Sequence, residues 1–496
     1  MNSEGRRDSG KRPTGGGSGG GRGGPGKRDS APRRGRAPER DQTSSRPPKE
    51  DPARRAALDV LHAIRERDAY ANLLLPELLR KRRIIGRDAA LATELTYGTA
   101  RAQGLLDAVI EACTQRPLSQ VEGPVLDALR LGAYQLLRTR IPGHAAVTAT
   151  VDLARADAGG HVTGFVNAVL RNVSEHDEAT WLDKIAPDEA TDPIGNLALR
   201  NAHPRWVARA FAEALGDKGT ELAAALEADD TRPAVHLLAR PGEISAEELA
   251  AVTGGEPAAY SPYGVYLPAG SGDLSESEPL RQGLATVQDE GSQLCAVAAT
   301  MPEVDGSDSR WLDLCAGPGG KTVLLGALAA GSGAHVDAVE QAPHRAKLVS
   351  AATEGLPVAV HTVDGTDSGL PAGYDRVLVD APCSGLGALR RRPEARWRRK
   401  PADIPELTKL QDQLLAAAIA LTRPGGVVTY VVCSPHLAET EGVVADAARR
   451  ARAEVLDARA YLPGIDGLGN GPYAQLWPHR HGTDAMFCAV LRKPGQ

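Results

Sequence analysis

The stretch 311-WLDLCAGPGGKT-322 runs from an apolar strand pattern with an acid, through three glycines, into a segment of helical spacing. Gly317, Gly319 and Gly320 let backbone approach a ligand closely where a strand turns into a helix. The GKT tripeptide invites a P-loop reading, but that motif needs a glycine five residues before Gly320, and position 315 is cysteine. A turn of purely structural purpose is the other alternative. The following strand pattern, 335-HVDAVE-340, ends in Glu340, about twenty residues beyond the glycines, where a carboxylate commonly meets ribose hydroxyls. The next, 358-VAVHTVD-364, ends in Asp364, suited to an adenine edge. These acids favour a nucleoside-bearing cofactor over a bare triphosphate.

Outward from that loop, two periodicities alternate. RWLDLC, HVDAVE, VAVHTVD, RVLVDA, VVTYVVCS and AEVLDA read as strands. KTVLLGALAA, HRAKLVSAATEG, LQDQLLAAAIALT and EGVVADAARRARA read as helices between several of them. Such alternation predicts a parallel sheet covered on both faces, with ligands at the carboxyl ends of the strands. This α/β unit is expected over residues 301–496. Upstream, residues 52–175 place apolar residues at three-to-four spacing in five segments, and no strand interrupts them. An all-α bundle is expected there, with Tyr97, Tyr134 and His144 as core or cap residues. Residues 176–300 combine a helix entered through Pro204, the strands AVHLLAR and GVYLPAG, a helix SAEELAAVT, and LATVQDEGSQLCAVAA as a strand running into a helix. They read as linker helices with a small α/β module.

At 496 residues the chain exceeds what one core supports, so several domains are expected. The net charge of −5 hides an asymmetry: residues 1–50 hold thirteen Arg/Lys and six Asp/Glu, a net of +7. That Gly/Arg-rich head, residues 1–51, has almost no apolar side chains and is expected to be a disordered basic arm. Attraction to nucleic acid and simple solubilisation are its two readings. No apolar run approaches the ~20 residues of a membrane span, and no signal-peptide pattern opens the chain. The six cysteines are dispersed, without CxxC or Cys/His metal spacing, so a reducing cytoplasm and no metal site are expected.

Two cysteines stand apart. In 378-LVDAPCSGLGALRRRPEARWRRK-400, Asp380-Ala-Pro-Cys383 follows the fourth strand pattern. In 427-VVTYVVCSPHLAETEG-442, Cys433 ends the next. Both therefore fall on the carboxyl edge of the sheet, each followed by serine. A buried structural thiol would explain either alone; the pair at a ligand edge points to nucleophilic chemistry.

LDLCAGPGGKT, DAPCSGLG and VCSPHLAETEG together resemble the Sun/Fmu, RsmB-like family of S-adenosylmethionine-dependent RNA cytosine-5 methyltransferases. LATVQDEGSQL resembles that family's entry segment, and the helical region resembles the NusB RNA-binding fold. The resemblance implies three parts: an all-α NusB-like bundle, a small α/β linker module and a Rossmann-like methyltransferase domain. It implies that Cys433 is the nucleophile and that Cys383 assists release of the methylated product. It further implies that Cys315, Ala316, Gly317, Pro318, Gly319, Gly320 and Lys321 bind S-adenosylmethionine, with Glu340 on the ribose and Asp364 and Asp380 completing the pocket. Val432 stands where the family usually has threonine, so that hydroxyl is lost. The substrate implied is small-subunit rRNA, the enzyme a cytoplasmic monomer. The basic run Arg390, Arg391, Arg392, Arg396, Arg398, Arg399 and Lys400, with Trp397, is expected to meet RNA phosphates and an unpaired base. The same chemistry on another RNA, and a non-enzymatic RNA-binding assembly factor, are the rival functions.

Overall fold

Asp51 accepts hydrogen bonds from the backbone of Ala53 and Arg54, and Pro52 occupies the first turn, so a helix starts there as capping chemistry requires. The computed structural model describes residues 51–216, 220–268, 274 and 277–495, together with Gly21. The expected basic arm thus lies, but for Gly21 and Asp51, outside the described residues. Helices Pro52–Arg67, Ala71–Arg82, Gly86–Cys113, Gly123–Arg138, Gly143–Ala158 and Thr163–Val173 form a bundle. Leu58, Leu95, Leu105, Leu106, Leu129 and Leu170 are buried at its centre. Tyr134 is a core residue, and its hydroxyl donates to Glu94 at 2.5 Å. His144 is exposed in the first turn of its helix. The helix Ala71–Arg82 escaped the sequence reading, and Pro76 inside it removes one backbone donor.

Four further helices, Glu178–Ile185, Pro193–Arg200, Arg205–Leu215 and Thr220–Asp230, lead into a small antiparallel sheet. Its strands are β1 (Val235–Ala239), β2 (Glu256–Pro257), β3 (Gly264–Leu267) and β4 (Ala285–Val287), in the order β2-β3-β1-β4. The helix Ala246–Thr253 covers it, entered through a reciprocal Ser245/Glu248 capping box.

The large sheet comprises β5 (Arg310–Asp313), β6 (His335–Val339), β7 (Val358–His361), β8 (Tyr374–Asp380), β9 (Thr422–Val432), β10 (Glu454–Leu456), β11 (Ala474–Gln475) and β12 (Phe487–Arg492). Its order is β10-β12-β9-β8-β5-β6-β7, with β11 pairing β12. The pairs from β9 to β7 are parallel, as expected. The sheet is nevertheless mixed, because β12 lies antiparallel between β9 and β10. This strand, 487-FCAVLR-492, was missed: the chain returns from β10 through residues 457–486 without the crossover helix that keeps strands parallel. After β5 the chain winds outward to β6 and β7, then returns to β8 on the other side. A topological switch therefore lies between β5 and β8, and a crevice opens at their carboxyl ends.

Candidate active site at the carboxyl edge of the sheet

β5 delivers the glycine loop to that crevice. Asp313 at its end is fully buried and accepts from the Thr322 hydroxyl at 2.7 Å and the Cys315 amide at 3.4 Å. It staples the loop's first residue to the helix Gly320–Ser332, and burial pushes its carboxyl up to about 6. Gly319 sits at φ +117°, a conformation L side chains rarely adopt, and a Cβ on Gly317 would lie 2.0 Å from Glu340 Oε2. The backbone of 316–320 is thus brought against a carboxylate with no side chain between. Glu340 Oε1 accepts from the Ala342 amide at 2.8 Å, and Arg345 reaches both Glu340 Oε2 (3.4 Å) and the Gly317 carbonyl. Arg345 carried no signal in the sequence. Burial holds the Cys315 thiol well above its ordinary range, so it faces the loop as a neutral group. Asp364 is exposed beyond β7 and ties its own turn, accepting from the Thr366 amide and hydroxyl at 2.8 Å each.

Lys321 is buried and donates to Asp380 Oδ2 at 2.8 Å, joining the first turn after β5 to the end of β8. Burial lowers the pKa of its ammonium; the Asp380 carboxylate outweighs this and holds it above the ordinary value. Next to this pair the sulfurs of Cys383 and Cys433, fifty residues apart in sequence, lie 3.4 Å apart. The hydrogen bond to Cys433 and burial raise the Cys383 thiol well above its usual range. Ser384 and Ser434, each next to a cysteine, both donate to the buried carboxylate of Glu439. Glu439 belongs to the quoted 427–442 motif, six residues after Cys433, yet only the fold reveals what it touches.

The basic run does not face solvent as a phosphate-binding loop, and that expectation is corrected. Arg390 and Arg391 are committed to Asp289 and Asp484, with nitrogen–oxygen distances of 2.6 to 3.2 Å. Arg396 is fully buried and pairs with Asp229 at 3.0 Å and Asp230 at 3.1 Å. The Trp397 indole donates to the Ala100 carbonyl at 3.0 Å and packs where a Cβ on Gly104 would come within 2.1 Å of it. Arg398 donates to the Asp68 carbonyl at 2.8 Å and lies over the Tyr70 ring. Arg399 donates to the Ser384 carbonyl at 3.1 Å. The physical reason is neutralisation: acids and carbonyls of the linker, the bundle and the large-sheet region itself take up these cations. Only Arg392 and Lys400 of the run remain exposed without an ion pair among the described residues.

Comparisons with known proteins agree with this geometry. A family model for the 16S rRNA methyltransferase RsmB/F matches residues 302–492, and a NusB family model matches 51–175. The ribosomal RNA small subunit methyltransferase B of Erwinia tasmaniensis is 32% identical over 422 residues, covering 82% of this chain and 91% of that protein. The chain belongs to the RsmB/F family. Another relative, "Putative methyltransferase Rv1407" of Mycobacterium tuberculosis, is 60% identical over 89% of this chain and 97% of its own length. Among solved structures, PH0851 superposes with a TM-score of 0.73 at 22% identity, covering 89% of this chain and 99% of its own. NSun6 from Pyrococcus horikoshii does so with a TM-score of 0.51 at 20% identity, covering 60% and 100%. At those identities the likeness is one of fold.

RsmB/F enzymes are S-adenosylmethionine-dependent RNA cytosine-5 methyltransferases, and S-adenosylmethionine is the cofactor of this chain. The residues present suit it. The side-chain-free face at Gly317, the buried Glu340 and the open end of β7 at Asp364 offer backbone and carboxylate acceptors to a nucleoside. Among the described residues no cluster of three or more His, Cys, Asp or Glu could hold a metal ion. No described helix is long and apolar enough to cross a membrane.

Proposed function

We propose that this RsmB/F-family chain methylates C5 of one cytidine in small-subunit rRNA, with Cys433 as nucleophile and Cys383 assisting release. The observation that carries the reading is the 3.4 Å approach of the two sulfurs beside the Lys321–Asp380 pair. Cytosine C5 is too electron-poor to attack a methyl group unaided. Addition of the Cys433 sulfur to C6 makes an enamine whose electron density falls on C5. When bound, S-adenosylmethionine supplies the electrophilic methyl group that C5 takes up. Residues Cys315 to Lys321 hold it, with Glu340 on the ribose and Asp364 and Asp380 completing the pocket. Asp380 also meets the base edge, polarising it at N3. The C5 proton then passes to solvent, its bonding pair re-forms the C5–C6 double bond, and the C6–S bond breaks with its electron pair returning to the Cys433 sulfur, a departure that Cys383 assists.

The rRNA of the small subunit is favoured by the names of curated relatives that span nearly this whole chain. The target cytidine must leave its stack to reach the thiols, so a loop or helix end is the expected site. Arg392 and Lys400 in the run after Cys383, and the exposed Arg80, Lys81, Arg83 and Arg87, are cations without an ion pair among the described residues and suit RNA phosphates. We assign residues 1–51 to a basic arm, 52–175 to the RNA-gripping bundle, 176–300 to the linker module and 301–496 to catalysis, in a cytoplasmic monomer. Tritiated S-adenosylmethionine with unmodified ribosomal RNA should yield 5-methylcytidine, and absence of product would refute the reading. Cys433→Ala abolishes turnover, whereas Cys383→Ala accumulates a protein–RNA adduct on a denaturing gel; the reverse pattern exchanges the two roles.

A further inference from the structure

The two cysteine segments are held together by a residue to which the reaction scheme assigns no part. Glu439 has no exposed surface and no cationic partner among the described residues. Its Oε1 accepts from the Ser384 amide at 2.7 Å and from Gln411 Nε2 at 3.1 Å. Its Oε2 accepts from the Ser434 hydroxyl at 2.7 Å and from the Ser384 hydroxyl. The His436 amide donates to Ser434 Oγ at 3.2 Å, which orients that hydroxyl's proton toward the carboxylate. Gln411 also donates to the Pro382 carbonyl at 2.9 Å, and the Gly387 amide donates to the Cys433 carbonyl at 2.9 Å. An ionised carboxylate only accepts, and here four donors converge on one. Three of them come from the two residues that follow the cysteines.

We propose that Glu439 is the positioning residue of this site: its carboxylate, accepting from the serine that follows each cysteine, locks the two cysteine-bearing segments in register and sets which of the two sulfurs is free to react. The inference rests on Cys433 being the nucleophile. A buried negative charge beside a thiol opposes its ionisation, because low dielectric magnifies the repulsion. The elevated thiol of Cys383 agrees, with the Glu439 carboxylate among its causes after the Cys433 hydrogen bond and burial. Other titratable groups facing the thiols leave that charge uncompensated. Lys321 and Asp380 cancel one another. Burial raises Tyr430, whose hydroxyl donates to the Glu439 carbonyl at 2.8 Å, and likewise Cys315, so both stay neutral.

The test reads thiol selectivity without RNA or cofactor. The intact protein is alkylated with limiting iodoacetamide across a pH series, and modification at residues 383 and 433 is quantified by peptide mass spectrometry. Wild type is expected to react first at Cys433. In Glu439→Gln the preference should fall by about tenfold or more, one unit in the relative acidity of the two thiols. Glu439→Asp retains the charge on a shorter arm, so it should keep the preference while its turnover on RNA falls. Equal preference in wild type and Glu439→Gln overturns the inference, and so does an Asp variant that loses selectivity like Gln. Should Gln fail to fold, the Asp variant decides. A wild type that shows no preference for Cys433 refutes the nucleophile assignment instead, so the two failures are distinguishable.

Discussion

Two arginine-rich stretches, 80-RKRRIIGR-87 and 390-RRRPEARWRRK-400, look alike in composition and meet opposite fates. The first ends the helix Ala71–Arg82 and turns into the next helix; Arg80, Lys81, Arg83 and Arg87 are exposed, and among the described residues Arg82 alone pairs, with Asp59. The second is drawn inside. Arg396 is buried on Asp229 and Asp230, and Trp397 lies against the bundle. A helix join connects the two stretches: the Ala71 amide donates to Glu394 at 3.3 Å, and Tyr70 lies under Arg392 and Arg398. The stretch that follows Cys383 therefore serves as a bracket between the methyltransferase sheet, the linker and the bundle. The stretch on the bundle keeps its charge for solvent or RNA. Local composition does not distinguish a bracket from a binding face; the acids available nearby do.

The contrast can be broken by substitution. Arg396→Met should lower stability most, by roughly 3–5 kcal/mol, because it leaves Asp229 buried with one partner fewer. Urea unfolding measures this; a cost within about 0.5 kcal/mol would return the run to a solvated loop. Gly104→Ala forces a methyl into the Trp397 ring and should cost about 1–3 kcal/mol, seen in the same titration and as a change in tryptophan fluorescence.

A third effect concerns pH. His203 is buried against Asp229 at 2.8 Å, and its pKa is lowered from 6.5 by burial first and by the Arg396 charge second. Below that value the unfolded chain takes up a proton that the folded one refuses, so stability falls as the pH drops. The slope approaches at most ~1.4 kcal/mol per pH unit, and His203→Gln should flatten it. The smallest effect on stability belongs to the exposed stretch. Replacing Arg80, Lys81, Arg83 and Arg87 together with glutamine should shift stability by no more than ~0.5 kcal/mol per site. The same variant should weaken RNA binding and reduce the slope of log affinity against log salt by roughly 3, as four lost phosphate contacts require. An unchanged slope would deprive the bundle of its RNA-gripping face.

The outcome of the sequence reading follows from how local each signal is. The strand–glycine–helix turn at 311–322, the strand-end acid Glu340 and the cysteines at the ends of β8 and β9 were legible, since period-two and period-3.6 patterning is written along the chain. The helix Ala71–Arg82 was hidden by Pro76, and β12 by a connection whose only helical pieces are the four-residue turns Ala458–Tyr461 and Pro478–His481. Gln411 gave no hint, because its partners lie 28 or 29 residues away, and of Arg345's two partners Glu340 is near in sequence but the Gly317 carbonyl lies 28 residues away; chain spacing does not encode those distant meetings.

By itself the sequence determined the three-part architecture, the strand ends at which chemistry is possible, and the pair of thiols that defines the reaction class. Tertiary structure alone decided which cations remain free and which carboxylate governs the thiols. Arg396 meets Asp229 across 167 residues, and Ser384 meets Glu439 across 55. The fate of a charge depends on which group the fold brings within hydrogen-bond reach and on how much water it removes there, and neither quantity is local to the chain.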